Sequence, residues 1–220
     1  MKTRVLTFFY FITGILFILF ENNSSEPVQF ILKALIIPWL IVILLINLKV
    51  FTNLISTLML LGLIFSWAGD MVLQFTFVPG LILFLLAHVM YLAAFFMTPG
   101  KSIIFTKRIG LLIPVLLYGA GLCLYLYGDL GDMRLPVIVY AAVILLMLTG
   151  ALNRFEKVNG PSYRLVLAGA ALFVLSDSAI AVNRFTWDFD HSGFVIMSTY
   201  IAAQYLITIG YIRQYTNHTR

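Results

Sequence analysis

The sequence predicts an all-α integral membrane protein: a polytopic bundle of eight transmembrane helices with the N- and C-termini in the cytoplasm. The first observation is composition, because 62% of the 220 residues are hydrophobic, only 10% are charged and the mean hydropathy is +1.02. The second is a series of long apolar runs, and the third is an uneven distribution of basic residues. A water-soluble domain of this size leaves about half of its residues in contact with water and could not hide so much apolar surface.

Eight apolar runs come close to the 17–25 residues or so that a membrane-spanning helix needs. The alternating segments of about ten residues that mark a β-barrel do not occur in the sequence. We predict spans at Val5–Phe20, Phe30–Asn47, Leu54–Phe75, Pro79–Met97, Ile109–Tyr127, Leu135–Leu152, Leu165–Val182 and Gly193–Ile212.

The connections between the runs are short, and no low-complexity tract interrupts the chain. We therefore predict a single domain over residues 1–220, with turns at Asn22–Pro27, Thr98–Lys101 and Asn159–Pro161. The first run follows two basic residues, as the apolar part of a signal peptide would. The next residues, ENNSSEP, offer no small-x-small cleavage site, so we predict a retained helix.

Basic residues fall mainly on one side of the predicted membrane. With the N-terminus in the cytoplasm, eleven of the fourteen Lys and Arg residues lie in cytoplasmic segments. This bias predicts a multi-pass protein of the cytoplasmic (inner) membrane with both termini inside, and it explains the net charge of +5 without nucleic-acid binding. The cytoplasmic set is Lys2, Arg4, Lys49, Lys101, Lys107, Arg108, Arg154, Lys157, Arg164, Arg213 and Arg220. The outer side holds Lys33, Arg134 and Arg184 with Glu21, Glu26, Asp129, Asp132, Asp188 and Asp190.

Two aspartates lie inside predicted spans, where a carboxylate is expensive and usually serves a function. Asp70 follows Gly69 in the third span, and Asp177 follows Ser176 in the seventh. At about 1.5 Å per residue, Asp70 and Asp177 each lie roughly 7 Å inside the outer end of their predicted spans. His88 lies about 13 Å into the fourth span from the same side. Further polar side chains at comparable depth are Tyr140, Tyr200 and Gln204.

The aspartates admit several interpretations. They could be a structural pair that binds backbone or hydroxyl groups, since polar contacts commonly link membrane helices. They could form an acid/base pair, with one carboxyl protonated and the other ionised. They could instead relay protons in a proton-coupled transporter of small molecules or lipids, although no trail of polar residues leads to the cytoplasmic face. A non-catalytic lipid-binding protein is a further alternative.

No metal-binding motif accompanies these residues. The sequence has no HExxH motif, and Cys123 is its one cysteine, so we predict neither a metal nor an organic cofactor. Near the outer interface, Lys33 either extends to the membrane surface or supplies a cation for a phosphate or an aspartate. Asn183 and Arg184 end the seventh span at the level of a lipid headgroup, and arginine is a natural phosphate partner.

Four segments resemble the YhhN family, the bacterial branch of the group that contains the animal lysoplasmalogenases: LGLIFSWAGDMVL, FLLAHVMY, ALFVLSDSAIAVNRF and TYIAAQYLI. They combine Gly-Asp, His-x-x-Tyr, Ser-Asp with Asn-Arg-Phe, and Tyr-x-x-x-Gln. The family tends to carry Lys-Pro early in the second helix, whereas here Lys33 is followed by Ala34. The resemblance implies hydrolysis of the vinyl-ether bond of lysoplasmalogens to a fatty aldehyde and a glycerophospho-ethanolamine or -choline.

The resemblance also implies catalysis by Asp70 and Asp177, and we place His88 with them. One carboxylic acid would protonate the vinyl ether, and the other carboxylate would stabilise the cation and deprotonate the attacking water, as in glycosidases. We favour Asp177 as the acid. The substrate would be a lysophospholipid within the bilayer. The residues predicted to bind it are Lys33, Tyr91, Tyr140, Ser176, Asn183, Arg184, Tyr200 and Gln204.

Overall fold

The chain is helical along most of its length. A computed structural model describes residues 2–20 and 26–216. Within these ranges, eight helices are long and apolar enough to cross a membrane, which confirms the predicted number of spans. The described ranges do not include two charged residues of the topology prediction, Glu21 and Arg220. They also do not include residues 22–25 of the predicted first turn.

The α-helices are numbered in chain order through the described residues. They are α1 (Lys2–Phe20), α2 (Glu26–Asn47), α3 (Leu54–Leu73), α4 (Phe77–Phe96), α5 (Ile103–Lys107), α6 (Leu112–Leu126), α7 (Arg134–Leu152), α8 (Gly160–Phe185) and α9 (Ser192–Thr216). Short 3₁₀ turns precede α3, α6 and α7 at Val50–Thr52, Ile109–Leu111 and Gly131–Met133. The short helix α5 was not predicted, because its five residues are too few to produce a clear period.

Several helices extend beyond the apolar runs that predicted them. The span predicted at Leu165–Val182 belongs to a helix that begins five residues earlier. Its start is set by Asn159, whose side chain accepts a hydrogen bond from the backbone N–H of Ser162 at 2.9 Å, and by Pro161 in the first turn. The turn predicted at Asn22–Pro27 is wrong for its last two residues, which open α2. Apolar residues mark the part of a helix in hydrocarbon, whereas caps mark where it begins.

The chain divides into two compact units, Met1–Ala94 and Phe95–Arg220. In the first unit α2 packs against both α1 and α3, and in the second unit α8 packs against α7 and α9. Helix α6 contacts α7 and α8. The single domain over residues 1–220 and the cytoplasmic position of the termini stay predictions.

In the first unit, a side chain of α3 donates a hydrogen bond to a backbone carbonyl of α2 that has no donor within its own helix. Pro38 has no N–H, so the carbonyl of Ala34 lacks its helical donor. The indole Nε1–H of Trp67 donates to this carbonyl oxygen at 2.9 Å. In hydrocarbon an unsatisfied carbonyl costs several kcal/mol, so the bond joins α2 to α3 where the α2 ladder is interrupted.

Replacing this donor should destabilise the protein. We expect Trp67→Phe to lower the free energy of unfolding by about 1–3 kcal/mol, because it leaves the Ala34 carbonyl without a donor. Trp187→Phe, in an exposed loop, is the matched control and should change it by less than about 0.5 kcal/mol. In a Pro38→Ala background the helix supplies its own donor, so the cost of Trp67→Phe should fall. An undiminished cost, measured by thermal unfolding, would argue against this role.

In the second unit, glycines bring α8 and α9 into close contact. A Cβ at Gly169 would lie 2.8 Å from the carbonyl oxygen of Ala203, and one at Gly210 would lie 2.9 Å from the backbone nitrogen of Val166. Small residues at such positions allow membrane helices to approach closely. The close approach fixes the register between α8, which carries Asp177, and α9.

Candidate active site

Asp177 forms a hydrogen bond with a tyrosine of the neighbouring helix. It lies in α8, eight residues before the end of the helix at Phe185, or about 12 Å along the axis. The hydroxyl of Tyr140, in α7, donates to Asp177 Oδ2 at 2.5 Å. This short hydrogen bond holds the carboxyl group in one orientation. The sequence predicted both residues in the site, and the structure brings them into direct contact.

Asp177 lines a partly open cleft between α6, α7 and α8. Most of the wall is apolar. A second polar pair lies on it, since the hydroxyl of Tyr118 donates to Ser178 Oγ at 2.8 Å and Ser178 Oγ donates to the carbonyl of Val174 at 2.7 Å. The apolar lining is Gly119, Leu122, Cys123, Leu126, Val137, Ala141, Ile144, Leu145, Val174 and Ala181. This arrangement places the carboxyl group of Asp177 among apolar side chains.

Tyr118 is a residue of the cleft that the sequence analysis missed. The available signal was a tyrosine inside the fifth predicted span, but its helix carries no aspartate or histidine to draw attention to it. Gly119, the next residue, also shapes the cleft, because a Cβ at this position would overlap the Cδ1 atom of Leu145. Neither position belongs to a motif of the family resemblance.

Of the predicted residues, Ser176 and Tyr200 lie at the α8–α9 interface, and Gln204 lies in α9. Ser176 Oγ donates to the carbonyl of Ile196 at 3.0 Å. The ring of Tyr200 packs edge-on against Phe173 with centroids 5.5 Å apart, and Gln204 is fully buried. None of the three is among the residues that line the cleft of Asp177. Their binding of substrate stays a prediction.

Asn183 and Arg184 lie in the last turn of α8. The side-chain oxygen of Asn183 accepts a hydrogen bond from the backbone N–H of Phe189 at 3.3 Å, which orders the loop before α9. The side chain of Arg184 is exposed. An exposed arginine at a span end is suitably placed to meet a headgroup phosphate, and this role stays a prediction.

In the first unit, Asp70 lies in the last turn of α3. The helix ends at Leu73, two residues earlier than predicted, so Asp70 is about 4.5 Å from its end rather than roughly 7 Å. The side chain is 3% exposed. Gln74 caps this end and donates from Nε2 to the backbone carbonyl of Asp70 at 3.3 Å. Beside it, Gly69 lets α4 approach, since a Cβ there would lie 2.8 Å from the ring of Phe84.

His88 and Tyr91 lie one helical turn apart in α4, and both are fully buried. His88 Nδ1 lies 2.6 Å from the carbonyl oxygen of Phe84. A carbonyl oxygen only accepts, so Nδ1 carries the hydrogen of this bond. The ring of Tyr91 packs against Gly62, where a Cβ would overlap it. Their predicted roles in catalysis and binding stay predictions.

Lys33 contacts an aromatic ring. Its Nζ atom lies 5.9 Å from the centroid of the Phe17 ring in α1, a distance typical of a cation–π contact. The headgroup role of Lys33 stays a prediction. Among residues 2–20 and 26–216, no three His, Cys, Asp or Glu side chains form a group that could hold a metal ion.

The eight apolar spans of the described residues define a multi-pass membrane protein, and Asp177 with Tyr140 is its candidate acid/base site. Residues 28–211 match the model of the YhhN family, and the chain belongs to this family, as the resemblance predicted. No solved structure gives a significant match.

Curated relatives are named lysoplasmalogenases. The chain is 37% identical over 163 residues to lysoplasmalogenase TMEM86A of Bos taurus, covering 70% of this chain and 65% of that protein. It is 36% identical over 155 residues to lysoplasmalogenase TMEM86B of Homo sapiens, with coverages of 69% and 62%. It is 29% identical over 158 residues to a lysoplasmalogenase of Mycobacterium tuberculosis (strain CDC 1551 / Oshkosh), with coverages of 68% and 58%. The matched region thus spans less than two thirds of each of these three relatives.

Proposed function

We propose that this protein hydrolyses the vinyl-ether bond of lysoplasmalogens within the membrane by acid/base catalysis with carboxyl groups. The observation that carries the proposal is the Asp177–Tyr140 hydrogen bond on the wall of an apolar cleft inside a membrane span. The cleft suits an aliphatic chain, and the carboxyl group suits the polar bond at its end. The names of the relatives support the same substrate class.

The reaction begins with the transfer of a proton to a carbon atom of the vinyl ether, so it needs an acid. Asp177, as the carboxylic acid, gives its proton to the β-carbon of the vinyl ether, and the electron pair of the double bond forms the new C–H bond. Water captures the resulting oxocarbenium ion and loses a proton, which gives the hemiacetal. In its collapse the hemiacetal hydroxyl loses a proton and the glycerol oxygen gains one, so the products are a fatty aldehyde and the free glycerol hydroxyl. Asp177 regains its proton from the proton that the water released, directly or through solvent. The Tyr140 hydroxyl stabilises the Asp177 carboxylate by donating to Oδ2, an effect typically worth about 1.5–3 kcal/mol. Asp70 is our candidate for the carboxylate that takes the proton of the attacking water.

The membrane location follows from the charges. We propose that the protein lies in the cytoplasmic membrane with both termini inside, because eleven of its fourteen basic residues then face the cytoplasm. Lys33 and Arg184 would then lie near the outer interface, where a lysophospholipid presents its headgroup.

The function can be tested with a saturated analogue of the substrate. A 1-alkyl lysophospholipid has the same chain and headgroup as the 1-alkenyl substrate but no double bond to protonate. We expect the purified protein to release aldehyde from the alkenyl lipid, and we expect the alkyl lipid to remain intact and inhibit competitively. Cleavage of both lipids at similar rates would show that vinyl-ether protonation is not the mechanism.

The cleft can be tested by filling it. We expect Gly119→Leu to lower kcat/KM by about 100-fold, because the new side chain displaces three or four methylene groups of the substrate, each worth about 0.8 kcal/mol. Gly121→Leu is the matched control, since a Cβ at Gly121 meets nothing within 4 Å, and its kcat/KM should stay within about twofold. Equal effects of both substitutions would contradict binding of the chain in this cleft.

A further inference from the structure

Arg154 is a buried cation in the turn between α7 and α8. It is fully buried and lies one residue after the C-cap residue of α7, Asn153. Burial lowers the pKa of Arg154 to about 10, so the guanidinium stays protonated at neutral pH. A buried charge is costly unless an opposite charge and hydrogen bonds compensate it.

The partners of this guanidinium are neutral. Its Nη2 donates to Ser162 Oγ at 3.1 Å and to Gln214 Oε1 at 2.8 Å, and its central carbon lies 5.6 Å from the centroid of the Phe95 ring. Among the described residues, its Nε and Nη1 atoms are buried and have no hydrogen-bond partner. Three of the five guanidinium N–H groups therefore have no hydrogen-bond acceptor, and no carboxylate of the described residues pairs with them.

The surroundings of Arg154 add further positive charge. Ser162 lies in the first turn of α8, a helix of 26 residues whose N-terminus carries a partial positive charge. Arg108 lies 4.6 Å from the ring centroid of Phe155, the neighbour of Arg154 in sequence, and Lys157 follows in the same turn. The one acidic residue between Asp132 and Asp177 is Glu156, which is exposed. This end of the second unit thus presents several cations and one exposed carboxylate.

We propose that this end of the second unit binds a phosphate group, with Arg154 as the central ligand. A phosphate oxygen would meet the unmet N–H groups, compensate the buried charge and use the partial charge at the α8 N-terminus. The phosphate would displace the half-buried side chain of Gln214, near the end of α9. A phosphate oxygen can accept the hydrogen bond that the amide oxygen of Gln214 accepts from Arg154. Along α8, Ser162 and Asp177 are about 22 Å apart, so this site is distinct from the cleft.

Thermal unfolding of the purified full-length protein in neutral detergent tests the site. We expect Tm to rise by about 4 °C or more with phosphatidylglycerol, but not with phosphatidylcholine. Inorganic phosphate, compared with chloride at equal ionic strength, identifies the source. A rise with both phosphate and phosphatidylglycerol indicates recognition of the phosphate itself, and a rise with the lipid alone indicates a lipid headgroup.

Gln214→Glu provides the decisive variant, because it places a carboxylate where the phosphate oxygen would bind. We expect it to raise Tm without ligand and to abolish the further rise with phosphatidylglycerol. Gln29→Glu, which adds the same charge in α2, is the matched control and should preserve that rise. The proposal is overturned if neither ligand stabilises the parent protein, or if Gln214→Glu responds to the ligand as the parent does.

Discussion

Asp177→Asn is expected to lower the turnover of lysoplasmalogen by about 10²–10⁴-fold, the usual contribution of a general acid. The substitution keeps the size of the side chain and an oxygen that accepts the Tyr140 hydrogen bond, but it removes the proton that the vinyl ether needs. Binding should persist, because the apolar lining of the cleft is unchanged. Steady-state kinetics should therefore show a loss in kcat with little change in KM.

The exposed loop offers a control for this substitution. Asp188→Asn removes one carboxylate from the segment between α8 and α9, where the side chain is exposed, and should leave kcat within about twofold. A kcat for Asp177→Asn near that of the parent protein would remove Asp177 from the chemistry, even if substrate still binds in the cleft.

Asp70→Asn is expected to lower kcat by about 10²-fold or more if Asp70 is the second carboxylate. The buried side chain keeps its size, so Tm should change little compared with kcat. If Asp70 only stabilises the end of α3, the substitution should instead lower Tm and preserve kcat. Kinetics and thermal unfolding of the same preparation separate the two roles.

The double variant asks whether the two carboxyl groups act in one reaction. Residues that act as a unit are strongly non-additive. The Asp70→Asn, Asp177→Asn double variant should therefore lose little more than the more damaging single substitution. Losses that multiply would indicate independent contributions and would contradict the two-carboxylate mechanism.

The sequence predicted the number of spans because apolar length alone decides whether a helix can cross a membrane. It predicted the helix ends less well, since these depend on caps outside the apolar runs. Asn159 and Pro161 extend α8 beyond its run, and Gln74 ends α3 before the predicted Phe75. The short helix α5 was missed because its sequence signal is too brief.

The candidate site was predictable only in part. A carboxylate within a span is costly, which made Asp177 conspicuous in the sequence. Its contact with Tyr140 depends on the rotation of α7 about its axis, which hydropathy does not determine. In the sequence, Arg154 is one of eleven basic residues in predicted cytoplasmic segments. Composition does not indicate whether such a residue is buried. Packing between helices, rather than the sequence of any one helix, decides these contacts.

Aldehyde release by the purified protein is the most direct test of the central claim. In detergent, without a sealed membrane or an ion gradient, we predict that lysoplasmalogen yields fatty aldehyde and glycerophospho-base in equal amounts. The absence of aldehyde, together with lipid or solute flux in sealed vesicles that depends on Asp177, would contradict the account and support a proton-coupled transporter.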